Sequence, residues 1–193
     1  MDINKDMDLV IVERVLKGEM IAFELLIKKY EDIIFNYIYK IILNKEDSED
    51  IAQEAFIRAY KSLYTFQRKS SFSTWLFKIA SNCINSYFKK KKNYTIQYDE
   101  ILTNVQCSSL DKPEEALEAI ETKKEVEKLL NSLGVDQRSC IVLKYVEGFS
   151  LREISEILGI SEDAVKMKIY RARKKLCEGK IINLEQRGVS NEV

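Results

Sequence analysis

The chain has 193 residues, in which 31 lysines and arginines balance 31 aspartates and glutamates, with four cysteines, one proline and no histidine. Six glycines and 32% charged residues, rich in Lys, Glu, Ile and Leu, exclude a sheet-dominated fold and describe a mainly helical protein with short turns. Without histidine, and with Cys83, Cys107, Cys140 and Cys177 far apart, neither a zinc site nor a His-based catalytic dyad can be assembled, so the cysteines are expected as plain buried or half-buried thiols.

Met1–Leu9 is acidic and polar, unlike a secretory signal, and no stretch approaches the roughly 18 apolar residues of a membrane span, so the expected location is the cytoplasm without membrane insertion. Asp8–Leu16 is apolar at helical spacing and Gly18 is placed to stop it. Over Glu19–Leu43 the positions Phe23, Leu26, Ile27, Tyr30, Ile34, Tyr37, Ile38, Ile41 and Ile42 recur at three and four residues, a wide stripe that predicts the central helix of a first core. Asn44 is placed to cap a third helix running to about Tyr64, with Glu46 and Asp47 in its first turn where the dipole favours negative charge. Its apolar side is Ile51, Ala52, Ala55, Phe56, Ala59 and Leu63, and Asp50, Gln53 and Glu54 lie beside it on a polar face.

From Lys61 to Lys92 there are eight lysines and arginines and no acid, interleaved with Tyr64, Phe66, Phe72, Trp75, Phe77, Tyr87 and Phe88. Cations among aromatic rings suit a single-stranded nucleic acid, neutralising phosphates and stacking unpaired bases; the same rings are equally readable as the core side of an amphipathic helix. Gln67–Ser71 reads as a loop, and Ser73 or Thr74 begins a helix through Ile79 and Ile84 to Phe88 that ends in Lys89–Lys92. Asn93–Ser109 has no helical period and reads as a linker. A capping box at Asp111–Glu114 opens a Glu-rich helix to about Asn131, and Asp99–Glu127 is strongly acidic.

An apolar helix over Val135–Tyr145 is broken by Gly148. Ser150 with Glu153 forms a capping box, Leu151, Ile154, Ile157 and Leu158 are a buried side, Gly159 is a left-handed turn residue, and Ser161 caps the next helix. Helix, tight glycine turn and helix at this spacing predict a helix-turn-helix of the DNA-binding kind, with a helical hairpin that does not bind DNA as the alternative. Val165, Ile169, Ala172 and Leu176 seat its second helix, while Lys166, Met167, Tyr170, Arg171 and Lys174 face outward, suited to phosphates, a guanine edge and a thymine methyl. Cys177–Val193 reads as a polar, frayed end.

These residues resemble the extracytoplasmic-function (ECF) sigma factors of bacterial RNA polymerase over about Met20–Lys92 and Asn131–Leu176. DSEDIAQEAFIRAY, Asp47–Tyr60, is similar to the family's core-polymerase-binding motif, which implies roles there for Asp50, Gln53, Glu54 and Phe56. SFSTWLFKIASNCI, Ser71–Ile84, is similar to the promoter-melting and minus-10-reading segment, implying minus-10 DNA contacts from Phe66, Arg68, Lys69, Phe72, Trp75, Lys78 and Asn82. LREISEILGISEDAVKMKIYRARKKL resembles the minus-35-reading helix-turn-helix, with Lys166, Met167, Tyr170, Arg171 and Lys174 as its readers. The chain departs from the family at Asn85, where an aspartate is common, at Lys89–Lys92 in place of arginines, and at Asp163, Ala164 and Met167, so promoter preference does not carry over.

The resemblance implies an all-α fold of two small helical domains on a flexible linker: region 2 at 1–92, linker at 93–112, region 4 at 113–180 and a polar tail at 181–193. It implies core RNA polymerase (beta and beta-prime subunits), promoter DNA and an anti-sigma factor as partners. No enzymatic activity, metal, cofactor or small-molecule substrate is expected, because the polymerase supplies all catalysis. A helix-turn-helix regulator that never meets core polymerase explains Val135–Leu176 equally well, but not the acid-free aromatic stretch or the Asp50, Gln53, Glu54 face. A helical nucleic-acid enzyme lacks the histidine and carboxylates such chemistry uses.

Overall fold

The computed structural model describes residues 3–97 and 126–188, and every regular element among them is helical. In chain order these are α1 (Ile3–Leu16), a 3-10 turn (Met20–Ala22), α2 (Phe23–Ile42), α3 (Lys45–Ser62), a second 3-10 turn (Leu63–Thr65), α4 (Phe72–Gln97), α5 (residues 126–131), α6 (Val135–Tyr145), α7 (Leu151–Leu158) and α8 (Glu162–Gly188).

The first module is built on α2, whose stripe of Leu26, Ile34, Tyr37, Ile38 and Ile41 is fully buried. Against it α3 lays the small residues Ala52, Ala55 and Ala59, which let the two backbones approach closely, and α4 closes the bundle with Phe72, Leu76, Ala80 and Ile84. The predicted cap of α3 forms: the Asn44 Oδ1 accepts from the Asp47 N–H at 2.9 Å. Leu43 makes the preceding corner in the left-handed region, at φ 58°.

The second module is α6, α7 and α8. Ser150 Oγ accepts from the Glu153 N–H at 3.2 Å while a Glu153 carboxylate oxygen accepts from the Ser150 N–H at 2.9 Å, the reciprocal box that starts α7. Gly159 ends α7 at φ 66°, and Ser161 Oγ accepts from the Ala164 N–H at 3.2 Å to start α8. Val165, Ile169 and Ala172 are buried, so α8 sits on α6 and α7 by the predicted stripe.

The modules pack on one another, α7 against α4 and α6 against α2. Phe149 meets Phe77 edge-on at 4.8 Å between ring centres, and Arg138 donates from Nη1 to the Ile41 carbonyl at 2.6 Å. Ile41 lies in the last turn of α2, where carbonyls lack helical partners and the dipole favours a cation.

Several boundaries differ from expectation. α1 starts at Ile3 rather than Asp8, and Ser71, not Ser73 or Thr74, caps α4, its Oγ accepting from the Thr74 N–H at 3.1 Å. α4 runs through the four lysines to Gln97, past the expected boundary at 92, because lysine is a good helix former and no breaker intervenes. α8 likewise continues to Gly188; Gly179 costs it about 1 kcal/mol without ending it. Residues 98–125, with most of the expected linker, Cys107 and the Asp111–Glu114 capping box, lie outside the described residues. Cys83 and Cys140 are buried as expected, the Cys140 thiol pushed up to about 11 by burial, but Cys177 is exposed.

Candidate functional site

Three surfaces collect the predicted residues. The first is a groove of about 540 Å³ between α2 and α3, floored by Ile27, Phe35, Ala52, Phe56 and Ile57 and rimmed by Glu31, Asp32, Glu49, Gln53 and a single cation, Lys45, which pairs with Glu49. Of the four predicted core-binding residues, Gln53 and Phe56 line it; Asp50 is exposed on the same helix, and Glu54 is drawn into an ion pair with Arg58 at 2.5 Å. Glu31, Asp32 and Phe35 were missed by the sequence reading, although they sit beside the apolar stripe of α2 where a second wall would have to come from. An apolar floor within an acidic rim suits a basic, amphipathic helix.

The second surface is the 67–71 loop with the adjoining face of α4. Arg68 and Lys69 are exposed at its tip, and Trp75, Lys78 and Asn82 follow at helical spacing, the lysine and asparagine exposed and the tryptophan half-buried. Phe66 and Phe72 do not present stacking faces: they are 7% and 2% exposed, their rings 6.0 Å apart, with Trp75 at 5.4 and 5.8 Å from them. The three rings staple the two ends of the loop together, so burial there outcompetes exposure to a base. Phe77 is also buried, at the junction of the modules, and Tyr87 gives its hydroxyl to Asp47 at 2.7 Å. The ring that does face solvent is Tyr64, at 79% exposure, which stands in the acid-free stretch but was not assigned to the site. It lies in the 3-10 turn Leu63–Thr65, three residues before the 67–71 loop.

The third surface is α8. Lys166, Met167, Tyr170, Arg171 and Lys174 are all exposed there, Met167 at 48% and Tyr170 at 64%. Asp163 holds Lys166 at 3.2 Å, and Lys168 turns away from this face to pair with Asp136 at 2.6 Å. α8 thus offers the cations, aromatic ring and thioether that a major groove accepts.

Among the described residues no group of His, Cys, Asp or Glu is placed to hold a metal ion, and no helix is long and apolar enough to cross a membrane.

The family models of sigma-70 region 2 and sigma-70 region 4 match residues 26–94 and 123–176, the two modules that carry these surfaces. The chain is 38% identical over 172 residues to the ECF RNA polymerase sigma factor SigW of Bacillus subtilis (strain 168), spanning 86% of this chain and 92% of that one. It is 31% identical over 174 residues to the ECF RNA polymerase sigma-E factor of Escherichia coli (strain K12), spanning 86% and 91%. In fold it resembles the sigma factor RpoE of Bartonella quintana, solved in complex with the anti-sigma factor NepR, with TM-score 0.66 and 24% identity over 81% of this chain and 94% of that one.

Proposed function

Since the chain belongs to the ECF sigma factors of RNA polymerase and acts as an alternative sigma factor in transcription initiation, we propose a division of that work among its three surfaces. The α2–α3 groove takes core polymerase, with Gln53 and Phe56 at its centre and Asp50 and Glu54 along its edge. The 67–71 loop and the α4 face of Trp75, Lys78 and Asn82 take the melted minus-10 strand, with Arg68 and Lys69 on its phosphates. Unstacking costs a few kcal/mol per base, which stacking at about 1 to 3 kcal/mol per base offsets; Tyr64 and the exposed edge of Trp75 are the rings within reach. α8 reads the minus-35 duplex through Arg171, Tyr170 and Met167, with Lys166 and Lys174 on phosphate. Promoter opening and binding thus belong to this chain, and catalysis to the polymerase. The cytoplasm is the compartment this work implies. An anti-sigma factor is a further partner, by analogy with the Bartonella quintana sigma factor solved with one.

The observation that carries this reading over a free-standing helix-turn-helix regulator is the acid-rimmed groove, which a DNA reader alone does not need. Gln53→Ala combined with Glu31→Ala is expected to weaken co-elution with core polymerase while leaving stability, read from a melting curve, within about 0.5 kcal/mol, because both side chains are exposed. Undiminished co-elution refutes the assignment of the groove.

A further inference from the structure

We infer that Glu13, on α1, is a positioning residue for minus-10 strand capture and acts by orienting Arg68. The inference rests on the reading that the 67–71 loop takes the melted strand. Between Lys61 and Lys92 there is no acid, so a carboxylate that orients a cation of this loop has to come from another element. Glu13 supplies it: its Oε1 lies 2.8 Å from Arg68 Nη1.

The mount on each side of that pair is firm. α1 is fastened by Ile11 and Val12, both buried, and by Asp8, which is 3% exposed and accepts from the Tyr30 hydroxyl at 2.6 Å and the Lys29 ammonium at 2.5 Å. Tyr30 in turn lies 5.6 Å from Phe72, so α1 and the loop stand on one aromatic floor. Arg68 itself sits at φ 57°, a left-handed conformation that costs a non-glycine residue and persists only where the surroundings hold it. The stapled loop ends supply part of that hold, and Glu13 fixes the direction of the side chain. A guanidinium gripped at one nitrogen keeps its other N–H donors for a phosphate or a base edge, and is delivered to them already ordered. The pair is half exposed, so its effect is modest in size and is read as geometry more than as attraction.

The test uses holoenzyme, assembled from core polymerase and the full chain, and fluorescence anisotropy with a single-stranded minus-10 probe and its single-base variants. Arg68→Ala is expected to weaken capture about ten-fold or more, as loss of a charged hydrogen-bond donor does. Glu13→Gln is expected to weaken it about two- to five-fold and to flatten discrimination at one base position, with Glu13→Asp restoring part of the loss. In the Arg68→Ala background Glu13→Gln is expected to have no further effect, a dependence that a merely structural role for Glu13 would not show. Glu13→Gln that binds as well as or better than the parent overturns the inference, and so does an equal loss with and without Arg68. If Arg68→Ala leaves capture unchanged, the assignment of the loop falls, and the role of Glu13 with it; an effect of Arg68→Ala without one of Glu13→Gln removes only the latter.

Discussion

Phe72 is 2% exposed and Tyr64 79% exposed, although both stand in the same acid-free aromatic stretch, and the difference decides what each side chain can do. Phe72→Ala opens a cavity beneath Phe66, Trp75 and Tyr30 and is expected to cost about 3 to 5 kcal/mol, with strand capture lost as the loop loosens. Tyr64→Ala is expected to leave stability within about 0.5 kcal/mol and to weaken single-strand binding alone, by about 1 to 3 kcal/mol if a base stacks on it. Melting curves beside anisotropy on a single-stranded probe separate the two; a destabilised Tyr64→Ala, or normal capture by it, removes Tyr64 from the site. The sequence announced cations and rings but not their directions. Whether a ring follows the apolar stripe is legible within a helix, as the exposed Tyr170 on α8 illustrates. Phe66 and Phe72 flank a loop, where helical period says nothing, and their burial comes from meeting each other and Trp75.

At the scale of elements the local signals suffice at most ends that a cap or a glycine marks, with Ser71 at the start of α4 the exception. Asn44, Ser150 and Ser161 each hold the backbone N–H that their position predicts, and α6 has the bounds its apolar run suggests. Ends without such punctuation, at Gln97 and Gly188, lie beyond where the sequence pattern stops, and the groove wall on α2 has no local signal because pairing between helices is not a local property. Gly159 shows what a local signal is worth. It sits at φ 66° with no atom within 4 Å of where a Cβ would stand, so a side chain there meets backbone strain and no collision. Gly159→Ala is therefore expected to cost about 1 kcal/mol, and Gly159→Asn less, because asparagine tolerates the left-handed region. Denaturant midpoints rank the three chains; a cost for alanine of several kcal/mol would mean that the turn is constrained by packing instead.

The whole molecule is held in a packed arrangement that the proposed work must undo. Minus-10 and minus-35 elements are about 25 base pairs apart, or about 85 Å at 3.4 Å per base pair, whereas one compact body of this length, with a radius of gyration of about 16 Å, is only about 40 Å across. The interface has the mixed character of one that opens: beside the Phe77–Phe149 contact, Arg138 Nε is buried without a hydrogen-bond partner. Glu147 faces α2 there, and burial raises its carboxyl above the ordinary value, with Lys40 partly offsetting the effect. The sign follows. Well below the ordinary carboxylate value Glu147 is neutral in both packed and separated forms; as pH rises through the raised value, the packed form must hold a half-buried charge that the separated form gives to water, so packing weakens towards neutral pH. Arg138→Met keeps an apolar stem in α6 but removes the bond to the Ile41 carbonyl, and is expected to weaken packing by about 1.5 to 3 kcal/mol. Small-angle scattering of the free chain should then show a larger radius for Arg138→Met. For the parent the radius should rise from acid to neutral pH, a rise that Glu147→Gln suppresses. Because a form that must open before binding lowers apparent affinity by the fraction already open, Arg138→Met should also bind core polymerase more tightly. An unchanged radius together with unchanged affinity would show that the Arg138 contact does not hold the modules together.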